Sequence, residues 1–252
     1  MKGFSRAATG FLFLAALALT ATGVTLAVKD SNASGQSRDL LALDGHSPES
    51  TTTQVVASSG NSFHLTARVT INFSTSEIDV LGRVPLLFST VPFEVRLVGH
   101  FLYATAPNLE SILGSPWLAV AVKPHSLRAL SEEVARPNLA LVRGFSHPTV
   151  SQSGVFTTYY FRRPRVPVTD LAITVGGQGQ LTGSNVTVHS ASSPLSLRTT
   201  VLSYNQPARI EAPPARDVRI ISASMLRSLG RSTGLATVLR PFGVAALGPA
   251  RL

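Results

Sequence analysis

The sequence predicts an α+β fold that is mainly antiparallel β, preceded by a membrane-directing segment. Three observations predict it. Residues 63–73 alternate without exception between apolar and polar side chains, which is typical of a strand with one buried and one solvated face. Further apolar or alternating segments follow, separated by turns that contain glycine or proline. The best helical pattern is confined to residues 124–137.

The N-terminal residues have the pattern of an export signal. Lys2 and Arg6 precede an uncharged run, residues 7–28, that is closed by Lys29. As a helix this run is long enough to cross a bilayer, so residues 1–28 are predicted to be either a cleaved signal peptide or a retained membrane anchor. In either case the remainder of the chain is expected to be exported, to the outer face of the cytoplasmic membrane or the cell envelope.

The next segment, residues 29–62, is rich in Ser, Thr, Gly and Asp and is predicted to be a linker. From residue 63 onward the strand patterns are dense, and they are expected to form an antiparallel sheet of nine or ten strands. The predicted strands are 63–73, 78–81, 84–88, 93–97, 101–104, 117–122, 155–162, 170–175, 185–189 and 195–204.

The predicted helix lies between Pro124 and Pro137. Ser126 is suited to be its N-cap, and the apolar residues that follow recur at helical spacing, which predicts one apolar face. These residues are Leu127, Leu130 and Val134.

Composition and charge exclude several classes of function. The chain has no cysteine, so disulfides, thiol chemistry and cysteine metal sites are impossible. Its net charge is +9, and after Asp217 it has arginines but no acidic residue. Residues 223–252 are therefore predicted to be a basic tail, either solvated and disordered or attracted to an anionic lipid or glycan. No interleaving of aromatic and basic residues predicts nucleic-acid binding.

No catalytic motif is evident. The six histidines never pair at metal-ligand spacing, and the Gly-x-Ser-x-Gly pattern is absent. Glu77 and Asp79 share one face of an extended strand, but no neighbouring residue supports acid–base catalysis. The chain is therefore predicted not to be an enzyme and to carry no cofactor or metal. The basic cluster Arg162, Arg163 and Arg165 follows a strand, where it either meets an anionic head group or is simply solvated.

The ordered segments resemble one known family. Residues 93–104, then Trp117, then the proline-bounded helix, resemble the centre of the actinobacterial LppX/LprG lipoproteins. Residues 154–160 resemble the following strand of that family, and residues 200–214 resemble its closing strand with a Pro-Pro element. The resemblance covers about residues 60–222. In two respects the chain differs, because the lipidation cysteine is missing and no helix is evident before the first strand.

The resemblance implies a curved LolA/LppX-like half-barrel, at residues 63–222, with helices covering the concave face of the sheet over an apolar cavity. Such proteins are not enzymes; they bind and transfer acylated lipids or lipoglycans in the cell envelope. A monomer is expected, with the N-terminal segment as its link to the membrane if it is uncleaved. The alternative is a membrane-tethered β-sandwich that binds an envelope glycan or a protein. The residues expected to contact the ligand are Leu65, Val69, Ile71, Phe73, Val95, Leu97, Leu127, Leu130 and Val134.

Overall fold

Every described strand belongs to one sheet. The structure, a computed structural model, describes residues 49–59, 63–86, 89–107, 109–121, 148–163, 168–189 and 194–221. The predicted signal segment, basic tail and helix lie outside these residues. The sheet has twelve strands, in the order β12-β6-β5-β4-β3-β2-β1-β11-β10-β9-β8-β7. The strands are β1 Ser50–Ser59, β2 Phe63–Asn72, β3 Glu77–Leu86, β4 Ser89–Val98, β5 Phe101–Thr105, β6 Trp117–Ala121, β7 Thr149–Ser153, β8 Phe156–Arg163, β9 Val168–Val175, β10 Leu181–His189, β11 Leu195–Tyr204 and β12 Val218–Ile221.

Two antiparallel meanders build this sheet. Strands β1 to β6 form one and strands β7 to β11 form the other, and each strand within a meander pairs with its neighbour along the chain. The two meanders join where β1 pairs with β11, so that Val55 faces Ala67 of β2 on one side and Thr199 of β11 on the other. At the far edge β12 pairs in parallel with β6.

The alternation in residues 63–73 has the predicted structural outcome. Leu65, Ala67, Val69 and Ile71 of β2 are buried, whereas His64 and Arg68, on the opposite face of the strand, are exposed. The neighbouring strands keep the same register, so the buried side chains lie in rows across the sheet. One face of the sheet is consequently apolar, and we call it the apolar face; the opposite one is the polar face.

A glycine makes room for an aromatic ring on the apolar face. Gly82 of β3 lies directly opposite Phe93 of β4. A Cβ atom at Gly82 would lie 2.2 Å from the ring of Phe93, which is buried. Glycine is therefore required at this position, because the ring packs on its backbone. Residues 78–81 and 84–88 were predicted as two strands because Gly82 separates two apolar runs in the sequence. In the structure β3 continues through Gly82 as one strand.

The connection from β11 to β12 runs along the polar side of the sheet. We call residues 205–217 the crossover segment. Asn72 of β2 donates a hydrogen bond from Nδ2 to the carbonyl of Ala208 at 2.9 Å. Arg96 of β4 donates from Nη1 to the carbonyl of Glu211, also at 2.9 Å. Side chains of two strands therefore fix the course of this segment, which has no regular structure before the 3-10 turn that precedes β12.

The predicted fold class is wrong in its helical part. The described residues are nearly all β, and their only helical structure is α1 Leu109–Leu113 and a 3-10 turn, Ala215–Asp217. With five residues α1 is too short to cover a twelve-stranded sheet. The described residues therefore contain no helices that cover the concave face, contrary to the prediction. No helix in the described part of the chain is long and apolar enough to cross a membrane.

The prediction of a linker over residues 29–62 is wrong for its last part. Residues Ser50–Ser59 form β1, which lies at the centre of the sheet between β2 and β11. Two of its apolar side chains, Val55 and Ala57, are buried on the apolar face. The polar composition was misleading, because alternate residues of β1 belong to the polar face and the apolar-face positions opposite Ile71 and Val69 are occupied by Thr51 and Thr53.

Candidate functional site

The apolar face brings together the strand residues that were predicted to contact a ligand. Val69 of β2, Val80 of β3 and Val95 of β4 form one row across three strands, and Ile71, Ile78 and Leu97 form the next. The five predicted residues of β2 and β4 have at most 4% of their surface exposed; they are Leu65, Val69, Ile71, Val95 and Leu97. Phe73, just beyond β2, is partly buried and packs against this group.

The apolar face continues into the second meander. Leu171 and Ile173 of β9 and Val186 of β10 are almost fully buried and belong to the same hydrophobic cluster. Sequence reasoning did not assign these three to the site. Their alternation within 170–175 and 185–189 was visible, but the pairing of β1 with β11 that places them on the same sheet was not. The remaining predicted contact residues, Leu127, Leu130 and Val134, lie outside the described residues.

The predicted head-group residue Arg162 lies on the other face of the sheet. Phe161 of β8 is buried on the apolar face, so Arg162, next to it in the strand, points to the polar face. Its Nε lies 3.6 Å from Oδ1 of Asp170, and 74% of its side chain is exposed. The structure therefore does not bring Arg162 to the apolar contact residues. Arg165 and the side chain of Arg163 lie outside the described residues.

One cluster of charges on the polar face is half-buried. The guanidinium of Arg96 lies over the ring of Trp117, 5.0 Å from its centroid, and forms an ion pair with Glu94. Its Nε is 3.7 Å from Oδ1 of Asp79, whose side chain is 20% exposed. Burial, and then the neighbouring Glu94 carboxylate, raise the pKa of Asp79 to about 6, although Arg96 acts in the opposite direction.

The two carboxylates that the spacing placed on one face of the strand, Glu77 and Asp79, do not contact the same partners. Glu77 shares the polar face of β3 with Asp79, as the spacing indicated, but it accepts a hydrogen bond from Oγ1 of Thr75 at 2.8 Å. Asp79 instead faces Glu94 and Arg96. The two carboxylates thus have separate partners, and the half-buried charges link β3, β4 and β6 across the sheet.

A groove of about 460 Å³ lies on the polar face over β7 to β10. Tyr160, Asp170, Asn185 and Thr187 are among the residues that line it. Asp170 is held from two sides, because its Oδ2 is 2.7 Å from Nε2 of His189 and its Oδ1 faces Arg162. This groove was not predicted, since its residues come from four strands whose register cannot be read from local patterns.

The described residues contain no group of three histidine, aspartate or glutamate side chains arranged to hold a metal ion. His64, on a strand, and His100, in a turn, are both exposed.

Comparisons with known proteins give a distant likeness. No family model matches the chain, and no curated protein matches it. Among solved structures it is similar to an uncharacterized conserved protein from Thermus thermophilus, with a TM-score of 0.40 and 7% identity, over 74% of this chain and 99% of that one. It is also similar to a LolA superfamily protein from Nitrosomonas europaea, with a TM-score of 0.26 and 10% identity, over 71% of this chain and 96% of that one.

Proposed function

We propose that this chain is a non-enzymatic protein that binds and transfers an acylated lipid or lipoglycan on the apolar face of its sheet. One observation carries the proposal: a single open sheet has one apolar face that continues from β6 to β8 as one hydrophobic cluster. An acyl chain needs a long apolar surface without charged groups, and the row of valines across β2 to β4 belongs to such a surface.

The energetics of lipid transfer fit a surface of this kind. Burying one methylene group is worth about 0.8 kcal/mol, so an acyl chain of about 16 carbons gains on the order of 12 kcal/mol when it leaves water. From a bilayer the gain nearly vanishes, because the chain already lies in hydrocarbon. A carrier therefore needs an apolar surface of matching size and no strong polar contact. Because Val69 and Leu97 are buried in this structure, the ligand has to displace protein atoms that now contact them.

The remaining parts of the proposal concern location and partners. The protein would act outside the cytoplasmic membrane as a monomer, with residues 1–28 as its signal or its link to the membrane. The family proposed for it is that of the LppX/LprG lipoproteins, without their lipid anchor. The alternative of a β-sandwich receives no support, because a sandwich needs two sheets and all the described strands belong to one.

The first test is whether a lipid accompanies the protein. The full chain is purified from a membrane-containing host under mild conditions and examined by native mass spectrometry and by lipid extraction. We expect an acylated lipid at close to one molecule per chain. A protein that carries no lipid and takes up none from labelled vesicles would contradict the proposal.

The second test fills the apolar face at its centre. Val69→Trp is expected to reduce the uptake of a fluorescent acyl lipid at least tenfold, because the indole occupies the space that the acyl chain needs, while overpacking costs about 1–3 kcal/mol of stability. Val69→Phe is the milder companion if the tryptophan variant does not fold. Leu81→Trp is the control, since Leu81 is 45% exposed on the polar face of the adjacent strand. Equal uptake by the Val69 variants and the control would refute the assignment of the site.

A further inference from the structure

The groove on the polar face has a floor and walls that follow from the register of three strands. Tyr160 of β8 faces Ala172 of β9, and Ala172 faces Asn185 of β10. All three side chains lie on the polar face, because Phe161, Leu171 and Val186 beside them in the strands are buried on the apolar one. The small side chain of Ala172 thus lies between two larger ones, which leaves a depression in the sheet surface.

One wall of the groove is an exposed aromatic ring. Half of the surface of Tyr160 is exposed, and the residue lines the groove. A large aromatic residue on a strand face that is otherwise polar offers a ligand an apolar contact with a hydroxyl at its edge. Such a contact suits a molecule that itself has one apolar face and a polar rim.

Hydrogen-bonding groups surround the floor. In the row beside Ala172, Asp170 faces Arg162 on one side and Thr187 on the other. Asn185 accepts a hydrogen bond from Oγ of Ser196 at 3.2 Å, which fixes its carbonyl oxygen and leaves its amide hydrogens as donors. His189 and Arg162 hold the carboxylate of Asp170 from two sides. The groove therefore offers fixed donors and acceptors next to an aromatic ring.

The charges of the groove nearly cancel. Asp170 lies close enough to Arg162 to offset its charge, and the other lining residues are uncharged apart from these two. Arg198 of β11 faces Asn185 but does not line the groove. An anion would meet the carboxylate of Asp170 along with the guanidinium, so the groove does not favour a phosphate group. A neutral ligand with many hydroxyl groups fits it better.

We propose that this groove binds a neutral saccharide, with a sugar ring against Tyr160 and its hydroxyl groups bonded to Asp170, Asn185 and Thr187. A pyranose ring has an apolar face of C–H groups and a rim of hydroxyls, which matches an aromatic wall beside a row of polar side chains. The volume of about 460 Å³ lies within the usual range for small-ligand sites. The site is separate from the proposed lipid surface, because the two lie on opposite faces of the sheet.

The test measures binding of soluble oligosaccharides by titration calorimetry. The full chain is kept in a detergent whose head group contains no sugar, and neutral oligomers of glucose, mannose and galactose are titrated, with inorganic phosphate as a separate arm. We expect at least one oligosaccharide to bind. Tyr160→Ala should weaken it roughly tenfold, the upper end of what a single aromatic contact contributes. Ala172→Leu, which fills the floor, should abolish it.

Phe156→Ala is the matched control, because Phe156 is a 46% exposed aromatic residue of the same strand that does not line the groove. Val69→Trp should also leave saccharide binding unchanged, whatever it does to lipid uptake. The proposal is overturned if no oligosaccharide binds, if Tyr160→Ala and Ala172→Leu bind as the unmodified chain does, or if phosphate alone reproduces the binding.

Discussion

Asp79 shows how a single residue on the polar face differs from its solvated neighbours. It lies between Glu94 and Arg96 on a face where most charged side chains are exposed. One of its carboxylate oxygens, Oδ1, is buried without a hydrogen bond. Burial, and then the adjacent Glu94, raise the pKa of Asp79 from its ordinary value of 3.8 to about 6.

The raised pKa predicts a stability that depends on pH. Between about pH 4 and pH 6 the folded chain holds the proton on Asp79 and the unfolded chain releases it, so this residue makes the fold less stable as the pH rises through that window. Asp79→Asn removes the effect. Relative to the unmodified chain, the variant is expected to gain up to about 3 kcal/mol of unfolding free energy between pH 4 and pH 7, measured by urea denaturation. Glu77→Gln is the control, and an equal pH dependence in the Asp79→Asn variant would contradict the prediction.

The crossover segment shows how an element without regular structure positions a strand. Its carbonyl groups accept hydrogen bonds from Asn72 and Arg96, and Oγ of Ser115 donates to the carbonyl of Asp217 at 2.6 Å. These contacts bring the chain across the polar side of the first meander to the edge of β6. There β12, only four residues long, completes the sheet in parallel.

Loosening the crossover segment is expected to loosen β12. Arg96→Met keeps an aliphatic stem over Trp117 but removes the bond to the carbonyl of Glu211 and both ion pairs. Amide hydrogens of Val218–Ile221 should then exchange roughly five- to tenfold faster, which corresponds to about 1 kcal/mol of lost local stability. Arg68→Met, on the polar face of β2, is the control. Unchanged exchange in β12 would mean that the contact with Glu211 does not hold it.

At this scale the sequence predicts some strands and not others, for a physical reason. β2 and β4 are evident because a strand with one buried face has a period of two. β1, β7 and β12 were missed. β1 has a polar composition, β7 is exposed along its length, and β12 is too short to show any period. The groove was missed as well, because Tyr160, Ala172 and Asn185 become neighbours only through strand register. Such pairings join distant parts of the chain and leave no local pattern.

For the molecule as a whole, the decisive feature is that the described strands form one open sheet with two edges. β7 forms one edge, and all of its residues are exposed and mostly polar. β12 forms the other edge. It pairs with β6, a strand in which Leu118 and Ala119 are buried. Exposed apolar strand edges are prone to pair with other chains, and β12 occupies the backbone groups of β6 that would otherwise form such an edge.

Removing β12 is therefore expected to cause self-association. A chain that ends at residue 217 should sediment as dimers and larger species in a concentration-dependent manner, because the backbone groups of β6 lose their partner strand. A chain that ends at residue 222 retains β12 and is the control. If both truncated chains sediment alike as monomers, β12 has no protective role.

The seam between β1 and β11 has a consequence for how this protein is made. Glu49 and Asn205, which are hydrogen-bonded beside that seam, are 156 residues apart in the chain. When synthesis has reached the end of β6, β1 still lacks its partner strand β11. Its completion waits until nearly the last described residues emerge, and pairing over such long separations is slow. This edge of β1 therefore stays unpaired in the nascent chain for longer than the edge of a strand whose partners are both close in sequence.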